Sequence, residues 1–145
     1  MGQNTKARIR AVDLASNGAM GTLASIFDVA WYRHSSKPGE GGTILLNGHN
    51  GGPTRIGIFK YLDHVSVGDI ITIERGDGTI FNYEVYESKV LSLADASAYM
   101  PIMLQSPKKG IESLSIISCT GEWSQAQRTF LSRAMVRAVL VENNG

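Results

Sequence analysis

Residues 69–93 constrain the fold more than any other part of this chain. Residues 69–75 read as a strand, Gly76-Asp77-Gly78 as a tight turn, and residues 79–93 as a long second strand. A period of two places Phe81, Tyr83 and Val85 on one face of that strand. Its apolar face needs further strands to cover it, and the rest of the chain supplies them. Residues 6–12 alternate as a first strand, and residues 43–46 form a short apolar strand that stops at Asn47-Gly48-His49-Asn50-Gly51-Gly52-Pro53. Residues 112–119 and 133–141 read as the last two strands. Turn signals crowd residues 35–42, and residues 105–110 read as a basic loop in which Lys108 and Lys109 are solvated. Helix is scarce. Residues 19–30 are ambiguous, with Leu23, Ile26, Phe27 and Ala30 at helical spacing, and residues 56–62 allow one or two turns. Asp95 is placed to cap a short helix that runs to Met100 and ends at Pro101. Seven or eight short strands in 145 residues make a β-barrel or sandwich built as one domain.

Charge and cysteine content narrow the function. Fourteen basic and thirteen acidic residues leave a net charge of +1, without a run of either sign. This argues against a nucleic-acid groove or a polybasic membrane patch. No apolar stretch reaches the roughly 18–20 residues of a membrane helix. The single cysteine excludes an internal disulfide and a thiolate zinc site, and no metal or other cofactor is expected.

That cysteine, Cys119, lies at the end of the strand Leu114-Ser115-Ile116-Ile117-Ser118 and before Thr120-Gly121-Glu122-Trp123. A buried thiol is an inert small hydrophobe. A thiol at a strand end facing a polar, glycine-containing loop suits a nucleophile, which needs access and donors. His49 also follows a strand end, and an imidazole near a thiol can exchange the proton that thiol chemistry requires. An arginine can hold the oxyanion that forms when a thiolate attacks a carbonyl. Arg128, Arg133 and Arg137 all follow Cys119. On a strand, Arg133 and Arg137 share a face but stand about 13 Å apart, so only one can meet the same carbonyl. Arg133, nearest the loop, is the one expected beside Cys119, whereas Arg128 falls in the loop itself. His34 and His64 are expected at the surface or rim.

With these residues in view, the chain resembles the sortase family. Ser115-Ile116-Ile117-Ser118-Cys119 is similar to the Thr-Leu-x-Thr-Cys motif of the sortase nucleophile, with serine replacing threonine twice. Asn47-Gly48-His49 resembles the Gly-His segment, and Arg133-Ala134-Met135-Val136 resembles the arginine that opens the last strand. Val29-Ala30-Trp31-Tyr32-Arg33-His34 with Lys37-Pro38-Gly39-Glu40-Gly41-Gly42 is similar to the lead-in of class E and F sortases. Val67-Gly68-Asp69-Ile70 is similar to the Gly-Asp turn before the family's central hairpin. The likeness runs from about Arg8 to Val141.

The resemblance implies a single catalytic domain over residues 1–145, folded as the eight-stranded closed β-barrel with one to three short helices. It implies cleavage of a Leu-Pro-x-Thr-Gly-like sorting signal between threonine and glycine at the outer face of a Gram-positive plasma membrane. Surface proteins carrying a C-terminal sorting signal are the implied substrates. The acyl group would pass from Cys119 to an amine of a cell-wall precursor or a pilin lysine. His49 would act as general acid and base, and Arg133 would hold substrate and oxyanion. Ser118, Trp123 and Arg137 are the further substrate-binding candidates, although Trp123 would equally pack under its loop. The family's N-terminal membrane anchor is absent here, so membrane attachment is expected only through a segment missing from this chain. Two other readings stay open: a cysteine peptidase that releases its acyl group to water, and a catalytically silent β-barrel binding module.

Overall fold

The computed structural model describes residues 9–12, 29–48, 62–127 and 129–144. In chain order the elements are β1 (Ile9–Val12), β2 (Val29–Tyr32), β3 (Thr43–Gly48), β4 (Ile70–Glu74), β5 (Ile80–Ser92), α1 (Leu93–Met103), β6 (Ser113–Ser124) and β7 (Thr129–Asn144). A 3₁₀ turn, Leu62–His64, precedes β4. The seven strands form one sheet in the order β1-β2-β3-β6-β7-β5-β4. The β1/β2 and β3/β6 pairs are parallel, and the other four are antiparallel. The sheet curls, because Trp31, Ile44 and Leu46 from β2 and β3 line one crevice of about 220 Å³ together with Ile73 of the edge strand β4. The mostly β architecture with little helix is as the sequence indicated. An eighth strand is not among the described residues.

Alternation sorts the side chains into two faces. Ile44, Leu46, Phe81, Tyr83, Val85, Leu114, Ile116, Ala134, Val136 and Ala138 point to the concave side and form the main core. Burying each valine, leucine, isoleucine or phenylalanine among them contributes about 1.5–3 kcal/mol, which is why the register cannot slip by one residue. On the convex side α1 lays Ala96 and Met103 against Met135, with Leu91 and Ile117 beside them.

Three local features depart from the sequence expectations. The helix is capped by Ser92, whose Oγ accepts the Asp95 N–H at 3.2 Å, so Asp95 sits in the first turn instead of the cap. The helix also continues through Pro101 to Met103, because burial of Met103 on the sheet holds the last turn despite the missing proline N–H. The loop expected between Cys119 and Arg133 is largely strand: β6 and β7 run on to Ser124 and Thr129 as a hairpin. The expected first strand is described only at Ile9–Val12. The ambiguous stretch 19–30 lies outside the described residues except Val29 and Ala30, which open β2. The turns expected at 56–62 likewise lie outside them except Leu62.

The hairpin between β4 and β5 is closed by Asp77. Its carboxylate accepts from the Arg75 guanidinium at 2.7 and 3.0 Å and from the Thr79 N–H at 3.0 Å. These bonds hold the Asp77 carboxyl well below its ordinary value, led by the one from Arg75. A second carboxylate, Glu112, is 5% exposed and binds the loop between β2 and β3. It accepts the Gly39 and Gly41 N–H groups at 3.0 and 2.9 Å and the Tyr83 hydroxyl at 2.6 Å. Burial, followed by the Glu112 contact, pushes the Tyr83 phenol up, so it stays a donor.

Candidate active site

The geometry around Cys119 follows from two ladders. In the antiparallel β6/β7 pair Cys119 stands opposite Arg133, and in β5/β7 Leu91 stands opposite the same Arg133. Cys119, Arg133 and Leu91 therefore form one rung across three adjacent strands. Alternation turns this rung to the convex face, since Ser118 and Ala134 are buried on the concave side. The next rung along is Ile117, Met135 and Lys89, over which α1 packs. The third is Ser115, Arg137 and Glu87. Cys119 is half-buried at the margin of the face that α1 covers.

Arg133 is held in place by neutral oxygens. Nη1 donates to the Phe130 and Ser132 carbonyls at 3.0 and 2.9 Å, and Nη2 to Thr129 Oγ1 at 3.3 Å. None of these acceptors carries a formal charge, so the positive charge of the guanidinium is left uncancelled by them for an anionic or partly anionic group. Immediately after Cys119, the strand bulges between Thr120 and Trp123. Gly121 occupies the bulge at φ +81°, and a Cβ there would stand 3.0 Å from Ser132 Oγ.

Ser118 points away from the convex face and is 1% exposed. Its hydroxyl donates to the Gly48 carbonyl at 2.7 Å, one step beyond the last backbone pair of the parallel β3/β6 ladder, Asn47 with Ile117. That bond uses the hydroxyl inside the fold, away from any substrate on the Cys119 side. His49 follows Gly48 in the chain and lies outside the described residues, as does Arg128.

The other described sequence candidates are not gathered around Cys119. Trp123 pairs with Phe130 across the hairpin, their rings 5.1 Å apart and edge to face. Phe130 alternates with Ser132 and Ala134, so Trp123 sits on the opposite side of the hairpin from Cys119, 48% exposed. Arg137 shares the face of Cys119 but stands two rungs away and is only 7% exposed. Its guanidinium donates to Glu87 Oε1 at 3.1 Å, the Tyr99 hydroxyl at 3.4 Å and the Gln105 carbonyl at 3.0 Å. Burial pulls the Arg137 pKa down, yet the bond to Glu87 and its other partners raise it above its ordinary value. Arg137 thus belongs to a polar cluster with the half-buried Glu87 and Tyr99. The His34 ring lies 5.5 Å from that of Tyr32. His64 is 3.7 Å from Asp63, whose carboxylate accepts from Thr120 Oγ1 at 3.4 Å. The 3₁₀ turn thus reaches the Cys119 end of β6, on the side to which Thr120 points.

Sequence reading missed Leu91, Glu87, Tyr99 and the tie between Ser118 and Gly48. Leu91 carried no signal, being one apolar residue in a long strand. Glu87, two residues before Lys89 on the same strand, offered the only hint of a charged cluster.

Comparison with known proteins bears on the family and the fold. Residues 5–141 match the family model described as the Sortase domain. No curated protein matches the chain. Among solved structures, sortase C from Streptococcus pneumoniae, described in terms of catalysis and pilin substrate specificity, is 22% identical with a TM-score of 0.57. The match covers 79% of this chain and 52% of that one. Streptococcus agalactiae sortase C1 in complex with MTSET is 26% identical with a TM-score of 0.59, covering 79% and 54% of the two chains. A lid mutant of sortase A from Corynebacterium diphtheriae is 23% identical with a TM-score of 0.63, covering 90% and 68%. The chain thus spans just over half the length of the two class C structures. With the family model covering nearly every residue, and its fold shared by these structures, the chain belongs to the sortase family.

Proposed function

We propose that this chain is the catalytic domain of a sortase-type cysteine transpeptidase, with Cys119 as nucleophile, His49 as general acid and base, and Arg133 as oxyanion and substrate ligand. The observation that carries the reading is register. In the parallel β3/β6 pair, partners are 70 residues apart, from Thr43 with Ser113 to Asn47 with Ile117. In the antiparallel β6/β7 pair Cys119 stands directly opposite Arg133, which supports nucleophile and oxyanion ligand sharing one rung.

In the proposed reaction the Cys119 thiolate attacks the threonine carbonyl of a Leu-Pro-x-Thr-Gly-like signal, forming a C–S bond and an oxyanion. The Arg133 guanidinium faces that oxyanion with two parallel N–H groups. Collapse breaks the C–N bond, and the leaving glycine amine takes its proton from the His49 imidazolium. An acceptor amine then attacks the thioester, gives its proton to His49 and releases the thiolate. The acceptor is an amine of a cell-wall precursor or a pilin lysine; sortase C of S. pneumoniae, with its pilin substrate specificity, supports the latter. The same reading includes the closed eight-stranded barrel, the class E/F affinity seen in the Trp31-Tyr32-Arg33 segment, and work at the outer surface of a Gram-positive cell.

The test is acyl-enzyme capture. Incubation with a sorting-signal peptide should add the acyl mass to the native chain and none to Cys119→Ala. Adding an amine should discharge the thioester to an amide. Discharge to acid alone, at a rate unaffected by amines, would identify a peptidase instead. A native chain that forms no adduct with any signal would leave a silent binding module.

A further inference from the structure

We infer that Arg137 and Glu87 are positioning residues that set α1 over the catalytic rung and thereby govern how a sorting signal binds. This inference deepens the proposed function and rests on it. The argument starts from α1 itself. Apart from Tyr99, its contacts with the sheet are apolar, through Ala96 and Met103 on Met135 with Leu91 and Ile117 at the edge. Such contacts favour burial but do not fix the helix against sliding or rotation. Pro101 within the helix cannot donate the hydrogen bond that an ordinary residue would, so the last turn depends on tertiary contacts.

The Arg137 cluster supplies direction. Glu87 Oε1 on β5 accepts from Tyr99 of α1 and from Arg137 of β7, and its Oε2 lies 2.9 Å from Lys89 Nζ. Arg137 then reaches past the helix to the Gln105 carbonyl at 3.0 Å. One guanidinium thus joins β7, β5, the middle of α1 and the segment after it. A partly buried ion pair of this kind adds little net stability compared with apolar packing of the same volume. It does define a position, because each bond has a required distance and angle. Arg137 Nε is moreover buried without a partner, an arrangement that an optimally stabilising site would avoid.

The location gives the cluster its consequence. The cluster occupies the third rung, α1 covers the second, and Cys119 with Arg133 form the first, all on the convex face. A peptide that approaches Cys119 on this face runs beside α1, so the placement of α1 sets the width of its path. The chemistry of the thiol, two rungs from Arg137, is not touched directly.

The experiment uses the whole chain with Arg137→Met, Arg137→Lys and Glu87→Gln. Arg137→Met should raise KM for a sorting-signal peptide about tenfold and leave kcat within about twofold. Arg137→Lys should recover part of the loss, since an ammonium can bond Glu87 but lacks the fork that also reaches Gln105. Alkylation of Cys119 by iodoacetamide should keep its rate and pH profile in every variant. If Arg137→Met does not fold by circular dichroism, the isosteric Glu87→Gln carries the same KM expectation. An unchanged KM in the folded variants, or a changed alkylation profile, overturns the inference. Hydrogen exchange separates this outcome from failure of the transpeptidase reading. Even without turnover, amides of residues 93–105 should exchange at least about tenfold faster in the variants while β6 and β7 amides do not. Equal exchange would overturn it.

Discussion

Replacing Ser118 with alanine removes one oxygen, yet it should weaken catalysis more than it weakens the fold. The hydroxyl is buried at 1% exposure and bonded to the Gly48 carbonyl at 2.7 Å. Losing a neutral buried hydrogen bond and leaving the carbonyl unpaired costs about 1–2 kcal/mol. For a domain of this size that lowers Tm by about 3–6 °C. The same bond ties the neighbour of Cys119 to the residue before His49. Without it the end of β3 is free to move relative to β6, and a shift near 1 Å between base and nucleophile costs up to about 100-fold in rate. Ser118→Ala should therefore lower kcat by about 10- to 100-fold with KM nearly constant. Ser118→Thr, which keeps the hydroxyl, should retain most of the activity. Steady-state transpeptidation with thermal melts of each variant is the assay. A lowered Tm with unchanged kcat would refute the positional argument, and a raised KM would return Ser118 to the substrate-binding role that the sequence suggested.

Three further outcomes are expected. Arg133→Ala should reduce kcat by about 10²–10³-fold, and Arg133→Lys should restore little of it, because an ammonium cannot present a planar fork; steady-state turnover with a circular dichroism check measures both. Glu112→Gln should release the loop between β2 and β3, because an amide cannot accept at both oxygens from Gly39, Gly41 and Tyr83, and a thermal melt should show a loss of about 1–3 kcal/mol. Burial pushes the Glu87 carboxyl up, but bonds from Tyr99, Lys89 and Arg137 outweigh it and hold it below its ordinary value of 4.5. Its contribution to stability is therefore complete above the unfolded value and lost as pH falls through the lower folded one, so melts should show the native chain losing more stability than Glu87→Gln on acidification through that window.

What the sequence revealed and concealed has a common physical cause. The hairpin of β4 and β5 was legible because its signals are local: a Gly-Asp-Gly turn and a period of two in Phe81, Tyr83 and Val85. The strand leading to Cys119 was legible for a similar reason, although β6 runs on to Ser124, and the meeting of one antiparallel strand's end with the next one's start separates Arg133 from Arg128 and Arg137. The β6/β7 register does put Arg133 opposite Cys119. The helix cap was misread because Ser92 and Asp95 both suit a cap, and only the end of the preceding strand decides between them. The Glu87, Tyr99 and Arg137 cluster was hidden because its members are 12 to 50 residues apart and meet only through tertiary packing. The partners of Arg137 were hidden likewise: periodicity puts it on the face of Cys119 but cannot show its bond to Glu87.

A deeper regularity lies under the site. A parallel pair keeps a constant difference between partner numbers, and an antiparallel pair keeps a constant sum. β6 takes part in both, with β3 on one side and β7 on the other. The difference is fixed by Thr43 with Ser113, and the sum by Cys119 with Arg133, so a single residue on β6 selects its partners on both flanking strands. Moving the nucleophile by one residue would send it into the core, because Ser118 and Thr120 face the concave side and are buried. Moving it by two would bring it under α1 at Ile117 or into the bulge at Gly121. Position 119 is the last on β6 that combines the convex face, an unbulged partner on β7 and freedom from the helix. Along β6 the proposed nucleophile, the chain's only cysteine, occupies that position.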